Sequence, residues 1–448
     1  MATALRPRTL VLFVGDIISF TLALWLSLYL RTFELPSGGL FAAHLAPFSL
    51  LFVAWVAVFF IAGLYESRLI VFGRRELSAA LHTAQAANIV IAALLFFFIP
   101  LFGIAPKTLL VIYLVVSFAL VLLWRAFLFP RLGLQKKEPA LVLGGGAEIE
   151  ELVAALRRAP RAPVAVAAAV APGAVPSLEA AVRDIMRTQS PRLVIADWSD
   201  ERVERAFPDL PKLIGGGVRF IDAMSLYEEV FGRISLPHID DRWIARNVSR
   251  YAHTLYDPLK RTMDIVIALP AAIISLVFYP FIALAIKLQD GGAVVIAMPR
   301  VGEGGKIVMM HKFRSMTGND EGKWGAKGTQ LKVTKIGKFL RVTRLDELPQ
   351  LWDVVSGNFS LIGPRPEFPD AVAQYEKEIP YYGMRHLIKP GLSGWAQLYG
   401  KHAHHGVGIE ETRDKLSCDL YYLKHRSLVL DLAIALKTIK KLLTRSGV

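Results

Sequence analysis

The chain has 448 residues, of which 54% are hydrophobic, and a net charge of +14 from 52 basic and 38 acidic residues. This apolar composition excludes an ordinary soluble protein, and the length allows about two to three domains. The basic balance indicates contact with anionic lipid headgroups and phosphorylated substrates. No recognition helix or RNA-binding motif is visible, so nucleic acid is not an expected partner. Cys418 is the only cysteine, which excludes an intrachain disulfide.

Four apolar runs of membrane length precede residue 125, at 10–30, 46–64, 84–102 and 108–124. A bilayer requires about 20 residues per helical span. Basic residues lie before the first run and after the second and fourth, whereas the alternate loops hold only Arg31 and Lys107. The positive-inside rule therefore places both ends of the bundle in the cytoplasm. We predict four transmembrane helices over residues 1–130, with Asp16 in the first serving either a function or helix packing.

From Pro139 the pattern changes to alternating strands and helices. Four runs are typical of buried strands, ALVLG (140–144), VAVAAAV (164–170), RLVIAD (192–197) and VRFID (218–222). Such a βαβ series predicts a small parallel sheet, so we assign residues 139–245 to a Rossmann-like α/β domain. The turn at 144–146 has glycines but lacks the third glycine and the acidic residue of a dinucleotide fingerprint. We expect this domain to serve regulation or to form the interface of a homo-oligomer, without a dinucleotide.

A fifth apolar run covers residues 265–286 and is interrupted by Pro270 and Pro280. Each proline is expected to kink or break a helix. Basic residues flank both ends of the run: Lys260, Arg261 and Lys287. A segment that enters and leaves by the same membrane face keeps both ends on the cytoplasmic side. We therefore predict a re-entrant helix over 264–287, with its backbone hydrogen bonds satisfied internally.

Cationic side chains beside Gly, Pro or turn residues are concentrated in the last third of the chain. Six of them stand out: Arg300, Lys312, Arg314, Arg341, Arg344 and Arg365. Arginines held on rigid turns suit bidentate recognition of phosphate. A solvated basic face is the alternative for any single one, but six in one membrane-associated domain favour a phosphate site.

The stretch RLDELPQLW (344–352) places two carboxylates, Asp346 and Glu347, just before Pro349. Proline is favoured in the first turn of a helix, so a helix start is predicted near Asp346. A helix N-terminus keeps a carboxylate ionised and attracts phosphate. Adjacent residues point in different directions, which favours a division of labour in which one acid attacks phosphorus and the other binds a metal. A simple acidic first turn is the alternative.

The chain from Lys260 to its end resembles the bacterial sugar transferases, the polyprenyl-phosphate phosphoglycosyl transferases. The preceding spans and α/β domain also resemble the large, chain-extended members of that family. Seven motifs carry the resemblance, in the same order as in the family: KRxxD (260–264), RxG (300–302), KFRSM (312–316), LDELPQL (345–351), GPRPE (363–367), PGLSGWAQ (390–397) and DLYY (419–422).

The resemblance implies a monotopic, mixed α/β catalytic domain over residues 255–448 that transfers a sugar 1-phosphate from a UDP-sugar to undecaprenyl phosphate. It implies that Asp346 is the nucleophile of a covalent intermediate, that UMP is released, and that Glu347 binds Mg²⁺. The residues implied to bind substrate phosphates are Arg300, Lys312, Arg314, Arg341 and Arg365. Such an enzyme would initiate exopolysaccharide, capsule or O-antigen synthesis at the cytoplasmic face of the bacterial inner membrane, in contact with the lipid bilayer.

The family usually breaks its re-entrant helix at a Ser-Pro pair thirteen residues after the aspartate that Asp264 matches. Val277 occupies that position here, so we expect a relocated break. Two other functions are alternatives, a non-catalytic scaffold of a glycan assembly complex and a membrane-anchored nucleotide-sugar oxidoreductase. The oxidoreductase would require an intact fingerprint and a Tyr-x-x-x-Lys pair in the βαβ region, which has neither. The sugar is not identified, and its recognition is expected around loops 317–335 and 398–412.

Overall fold

In this computed structural model the chain forms two compact units, residues 1–230 and 231–448. Each unit has hydrophobic cores of its own. The structure describes eight ranges of residues: 7–65, 74–98, 107–132, 137–159, 164–248, 255–317, 332–400 and 408–443.

The first unit begins with four long helices: α1 (Pro7–Thr32), α2 (Gly38–Ile61), α3 (Arg74–Phe98) and α4 (Lys107–Leu123), the last continued by a π-helical turn (Trp124–Leu128) and a short turn (Phe129–Arg131). Within the described residues, three helical stretches are long and apolar enough to cross a membrane, Leu10–Thr32, Gly38–Ile61 and Thr108–Arg131. The third predicted run falls on α3, whose described apolar stretch Leu81–Leu94 is shorter. The residues from 99 to 106 lie outside the described part, so a span there stays a prediction.

Asp16 is buried inside the helical bundle and is fully paired. Its carboxylate contacts the Arg125 guanidinium at 2.5 and 3.0 Å and accepts a hydrogen bond of 2.7 Å from the Tyr65 hydroxyl. Arg125 also donates to the carbonyl oxygen of Leu64 at 2.7 Å. Because a buried charge is tolerated only when it is paired and hydrogen-bonded, these contacts favour the helix-packing role for Asp16.

The rest of the first unit is a four-stranded parallel sheet with helices between its strands, as the sequence predicts. The strands are β1 (Glu138–Leu143), β2 (Val164–Val170), β3 (Leu193–Ala196) and β4 (Arg219–Asp222), in the order β2-β1-β3-β4. The helices are α5 (Ala147–Arg158), α6 (Leu178–Thr188), α7 (Glu201–Arg205), α8 (Leu210–Gly215) and α9 (Ala223–Phe231). Gly144 has a positive φ of 152°, and a Cβ atom there would lie 3.0 Å from that of Asp197. Backbone conformation and packing therefore account for this glycine without a nucleotide.

The second unit combines nine helices with two small sheets among the described residues. The helices are α10 (Asp241–Asn247), α11 (Tyr256–Ser275), α12 (Tyr279–Asp290), α13 (Lys335–Thr343), α14 (Gln350–Ser356), α15 (Pro369–Glu378), α16 (Trp395–Tyr399), α17 (Ile409–His425) and α18 (Leu428–Leu443). Strands β5 (Val295–Val301) and β6 (Ile307–Phe313) form an antiparallel hairpin, and β7 (Ser360–Ile362) pairs in parallel with β8 (Gly391–Ser393).

The predicted breaks in the apolar helix need correction. Pro270 lies inside the continuous helix α11, where it removes one hydrogen bond without ending the helix. The break falls at residues 276–278, between α11 and α12, and the two helices meet at an angle of 55°. It therefore includes Val277 and is not relocated. Pro280 follows the break in the first turn of α12, where a missing N–H is harmless.

Helices α11 and α12 both expose large apolar side chains, and α11 also buries polar ones, the reverse of a helix at the surface of a soluble domain. The buried face of α11 carries Lys260, Asp264 and Ser275. The exposed apolar side chains of the two helices include Val266, Ile267, Ile273, Ile274, Val277, Phe281, Leu284 and Leu288. An apolar surface this continuous marks a contact with another apolar phase.

Candidate active site

The carboxylate pair lies in a tight turn between two helices. Helix α13 ends at Arg344, whose left-handed φ of 58° closes the helix. Leu345–Glu347 then form one turn of 3-10 helix, and α14 begins at Gln350. The helix start is therefore later than predicted, because the chain makes this extra turn before Pro349. Since α14 spans only seven residues, its dipole contributes little to the site.

Asp346 is buried, with 5% of its surface exposed, and it borders a cavity of about 300 Å³. One carboxylate oxygen, Oδ1, is buried and has no hydrogen-bond partner among the described residues. Glu347 borders the same cavity, and its carboxylate lies 3.4 Å from the guanidinium of Arg344. A buried carboxylate oxygen without a partner is costly in a folded protein, so this atom is the chemically conspicuous one of the pair.

Five cationic side chains surround the carboxylates, although they come from four separate parts of the chain. Arg300 lies on β5, Lys312 on β6, Arg341 and Arg344 at the end of α13, and Arg365 after β7, and all of them border the cavity. The fold therefore brings together four of the five predicted phosphate-binding residues, with Arg344 in addition.

Arg314 is the predicted phosphate-binding residue that does not line this cavity. Its guanidinium lies over Gly292, where a Cβ atom would overlap it, and donates to the carbonyl oxygen of Met316 at 3.2 Å. Successive residues of a strand point to opposite faces, so Arg314 shares the side of Lys312. It lies just beyond the end of β6, however, and turns away to pack against the loop after α12.

Two of the cavity arginines are held by specific packing. The guanidinium of Arg300 lies 3.3 Å from the centroid of the Phe368 ring, a cation–π contact. Arg341 donates to the hydroxyl of Ser315 at 3.1 Å and contacts the sulfur of Met316 at 3.1 Å. These contacts fix both guanidinium groups before any ligand binds, which lowers the entropic cost of binding phosphate.

A buried ionic cluster lies beneath the loop that carries Arg365. Arg385 donates to the backbone carbonyl of Arg365 at 3.0 Å and pairs with Asp419 at 2.6 Å. Lys415 lies 3.6 Å from the carboxylate of Glu367, two residues after Arg365. The cluster explains why Glu367 and Asp419, both within the family motifs, are far from the surface: they hold the loop in place and do not line the cavity.

Burial and charge shift two pKa values in the cavity. Burial and the neighbouring Glu347 raise the pKa of Asp346, although Lys312, Arg341 and Arg344 oppose this shift. Burial lowers the pKa of Lys312, and Asp346 opposes that shift. Each group partly stabilises the charge of the other, so the carboxylate and the ammonium are mutually dependent.

The carboxylate pair fits a divalent cation of the magnesium type. Mg²⁺ prefers oxygen ligands and is usually held by one or two carboxylates together with substrate phosphates. The partnerless Oδ1 of Asp346 and the carboxylate of Glu347 border one cavity and supply such oxygens. Within the described ranges there is no cluster of three or more His, Cys, Asp or Glu residues with metal-site geometry, so a metal here would need phosphate oxygens as further ligands.

A second cavity, of about 480 Å³, is larger but chemically different. Ser360 and Ile362 of β7 border it, whereas Phe359, immediately before the strand, borders the first cavity. Both oxygens of its Asp264 carboxylate have partners, the Ser360 hydroxyl at 2.7 Å and the Leu361 N–H at 3.2 Å. Its buried carboxylate is therefore fully paired, so size alone does not make it the reactive site.

One polar residue of the LDELPQL motif borders the first cavity although the sequence predicts no role for it. Gln350 is 6% exposed and borders the cavity at the start of α14. The remaining lining is apolar or small: Met310, Phe359, Pro366, Gly391 and Leu392. No signal in a single sequence separates such residues from ordinary core positions.

Comparison with known proteins identifies the family of the second unit. A family model described as "Bacterial sugar transferase" matches residues 255–445. The exopolysaccharide production protein PSS of Rhizobium leguminosarum bv. phaseoli is 36% identical over 193 residues, which cover 42% of this chain and 96% of that protein. The chain belongs to the bacterial sugar transferase family.

Two larger relatives are matched over a smaller share of their length. UDP-N-acetylgalactosamine-undecaprenyl-phosphate N-acetylgalactosaminephosphotransferase of Aeromonas hydrophila is 40% identical over 226 residues, which cover 49% of this chain and 51% of that protein. UDP-glucose:undecaprenyl-phosphate glucose-1-phosphate transferase of Escherichia coli (strain K12) is 39% identical over 188 residues, which cover 41% of this chain and 40% of that protein. The chain thus spans about half or less of the length of these relatives. Its apolar helices and these relationships indicate a membrane protein.

Proposed function

We propose that the second unit transfers a sugar 1-phosphate from a UDP-sugar to a polyprenyl phosphate, which starts the assembly of a surface polysaccharide. The observation that carries this proposal is the buried carboxylate of Asp346, which has a partnerless oxygen among five cationic side chains. The names of the relatives support UDP-sugars and undecaprenyl phosphate as the substrates.

The reaction proceeds in two displacements at phosphorus. In the first, a carboxylate oxygen of Asp346 bonds to the β-phosphorus of the UDP-sugar, and the bond to the oxygen that bridges the two phosphates breaks, so that UMP leaves. In the second, a phosphate oxygen of the polyprenyl phosphate bonds to the same phosphorus. The bond to Asp346 breaks, which restores the carboxylate and releases the polyprenyl-diphosphate sugar. A covalent intermediate allows a soluble donor and a lipid acceptor to use one site in turn.

The cationic side chains stabilise the charge of the transferring phosphoryl group. The guanidinium groups of Arg300 and Arg341 are already fixed by packing, and Arg385 fixes the backbone of the loop that carries Arg365. Preorganised cations of this kind stabilise a charged transition state without reorganisation during the reaction. Lys312 favours the ionised form of Asp346, because it opposes the effect of burial on the pKa of that carboxyl group.

Glu347 would hold Mg²⁺, which when bound would neutralise phosphate charge and orient the donor. In this scheme the two adjacent acids have different tasks. Asp346 supplies the nucleophilic oxygen, and Glu347 anchors the metal from the other side of the turn.

Helices α11 and α12 form the re-entrant anchor of this proposal. The exposed apolar side chains on both helices and the 55° bend between them suit a segment that enters the bilayer and returns to the same face. The catalytic unit then lies on the cytoplasmic face of the bacterial inner membrane. A cavity at that face receives the soluble donor from one side and the lipid acceptor from the other.

Cysteine labelling tests this topology. Cys418 is buried, so single cysteines introduced at the exposed polar positions Asp257 and Gln289, at the two ends of the segment, would dominate labelling by an impermeant reagent. In sealed vesicles, both positions should be labelled from the same side. Labelling of the two from opposite sides would refute the re-entrant arrangement and indicate a crossing helix.

The parallel sheet of the first unit is interpreted as a Rossmann-like domain with a regulatory or oligomeric role. Its glycine turn is explained by packing against Asp197 and Ile149. No observation on the described residues favours an oxidoreductase or a scaffold over the transferase.

The experiment for the proposed function uses the purified full chain with Mg²⁺, undecaprenyl phosphate and a panel of UDP-sugars that begins with UDP-glucose and UDP-N-acetylgalactosamine. UMP release and a new lipid-linked sugar are expected with at least one donor. A folded protein that releases no UMP from any donor would contradict the proposal. Conversion of the donor with oxidation of its sugar would support the oxidoreductase instead.

A further inference from the structure

Gln350 has a buried side chain that takes no part in the two displacements. Only 6% of its surface is exposed, yet it borders the cavity together with Asp346. No hydrogen bond joins its amide to another described residue, in contrast to Gln397, which donates to Leu392 at 3.5 Å, and Gln374, which donates to Glu378 at 3.0 Å. The amide therefore has its donors and its acceptor available toward the cavity.

Among the described residues, the fully buried side-chain atoms without a hydrogen-bond partner do not include the amide of Gln350, so its polar atoms open into the cavity. A ligand that enters the cavity can replace water at these atoms. The five cations of the cavity are donors only, and they suit the phosphate charges of the donor. An amide both donates and accepts, which suits the neutral hydroxyl or amide groups of a sugar, and its N–H can also donate to a phosphate oxygen.

The position of Gln350 indicates which half of the donor it meets. It lies four residues after Asp346, across the 3-10 turn and at the start of α14, and both side chains border the same cavity. The nucleophile bonds to the β-phosphorus, to which the sugar is attached directly. The uracil is separated from that phosphorus by the ribose and the α-phosphate. A short side chain anchored beside Asp346 is therefore on the sugar side of the reacting bond.

We propose that the Gln350 amide binds the hexose 1-phosphate half of the donor, the part that stays on the enzyme after UMP leaves. This inference rests on the proposed function and extends it, because it separates recognition of the transferred group from recognition of the nucleotide. Gln350 contacts the substrate in this account and is a specificity-determining residue.

Binding measurements without turnover test this inference. The full chain carrying Asp346→Asn, which blocks the first displacement, is titrated with UMP, UDP-glucose and UDP-N-acetylgalactosamine in the presence of Mg²⁺. The same titrations are made after adding Gln350→Ala, and after adding Gln374→Ala as the matched control on the exposed face of α15. We expect Gln350→Ala to raise the Kd of the better UDP-sugar by about tenfold, the value of roughly one hydrogen bond, and to leave the Kd of UMP unchanged.

Two results would overturn the inference. Equal weakening of UMP and UDP-sugar by Gln350→Ala would assign the amide to the nucleotide or to the shape of the whole site. Unchanged binding of both, with Gln374→Ala behaving identically, would show that the amide contacts no part of the donor. A protein without the second substitution that binds neither UMP nor a UDP-sugar would instead contradict the proposed function itself, and the inference with it.

Discussion

Two clusters of buried carboxylates in the second unit lie next to the same strand, β7, and differ in one respect. On one side, Asp264 and Asp431 have partners at all four carboxylate oxygens, supplied by Ser360, the Leu361 N–H, Lys260 and two tyrosines. On the other side, Asp346 keeps Oδ1 without a partner among the described residues. Buried acids of the first kind hold a structure together, and an acid of the second kind is available to a ligand.

The tyrosines of the paired cluster, Tyr256 and Tyr422, donate to Asp431 at 2.8 and 2.6 Å. Lys260 lies 3.4 Å from Asp264 and 3.3 Å from Asp431, so it joins the start of α11 to α18. The cluster therefore ties the apolar helix to the body of the unit. Charge density alone does not distinguish the two sides. Among the described residues, Asp346 Oδ1 differs from the other buried carboxylate oxygens because it has neither a hydrogen bond nor an ion pair, whereas the Oδ2 atom of Asp419, which also accepts no hydrogen bond, is paired with Arg385 at 2.6 Å.

The largest expected effect is on UMP release and follows from substitution of Asp346. Asp346→Asn should reduce UMP release by on the order of 10⁴-fold or more, because it removes the nucleophile. The melting temperature should stay the same or rise, since a desolvated charge without a full set of partners is removed. UMP release and thermal unfolding of the same preparation check both parts. A variant that keeps wild-type UMP release would contradict the covalent assignment.

The next effect separates the cavity cations from the predicted cation outside it. Arg365→Ala should lower kcat/KM for the UDP-sugar by about 10²-fold, as expected when a preorganised donor to the transition state is lost. Arg314→Ala is the matched control, because Arg314 packs against Gly292 away from the cavity. It should change kcat/KM by less than about threefold. Equal losses of kcat/KM in the two variants would show that Arg314 also belongs to the substrate-binding site.

Substitution in the cluster of Asp264 and Asp431 should lower the free energy of unfolding and leave the rate of UMP release nearly unchanged. Asp264→Asn disrupts hydrogen bonds and an ion pair that are buried, and we expect a loss of roughly 3 kcal/mol in the free energy of unfolding. UMP release per folded molecule should remain within about threefold of the wild-type value. Asp257→Asn on the same helix is the control, since its pair with Arg426 leaves Asp257 47% exposed and such pairs contribute about 0–1 kcal/mol. Loss of chemistry without loss of stability in Asp264→Asn would remove the distinction between the two sides.

The smallest effect is on the pH profile. Burial raises the pKa of Asp346, so the rate should fall as the pH drops through a value above the usual aspartate range. Burial lowers the pKa of Lys312, so the rate should also fall on the alkaline side, when the ammonium loses its proton below the usual lysine range. Lys312→Arg keeps its charge at high pH, and should move the alkaline limb of kcat/KM upward while the acid limb stays. An unmoved alkaline limb would assign that limb to another group.

Local patterns were sufficient to predict the parallel sheet and the cationic side chains that border the cavity, although Arg314 lies outside it. The strands around Leu141 and Val194 are continuous apolar runs bounded by turns, which a single sequence displays directly. The cations of the cavity were visible because each lies beside a glycine, a proline or a turn.

Features that depend on tertiary contacts were not visible. The direction of the Arg314 side chain depends on Gly292, and the partners of Asp264 come from β7. The position of the Gln350 amide beside the cavity is evident only from the folded structure. The break at Val277 was expected elsewhere because proline position alone does not decide where a helix ends: Pro270 was accommodated inside α11.

The covalent intermediate on Asp346 is the central claim, and mass spectrometry tests it most directly. The full chain is incubated with Mg²⁺ and a UDP-sugar that supports turnover, without any polyprenyl phosphate. We predict release of about one UMP per active site and a mass increase equal to the hexose 1-phosphate on the peptide that contains Asp346, which disappears when undecaprenyl phosphate is added. UMP release that occurs only with the acceptor present, and no adduct on that peptide, would contradict the account.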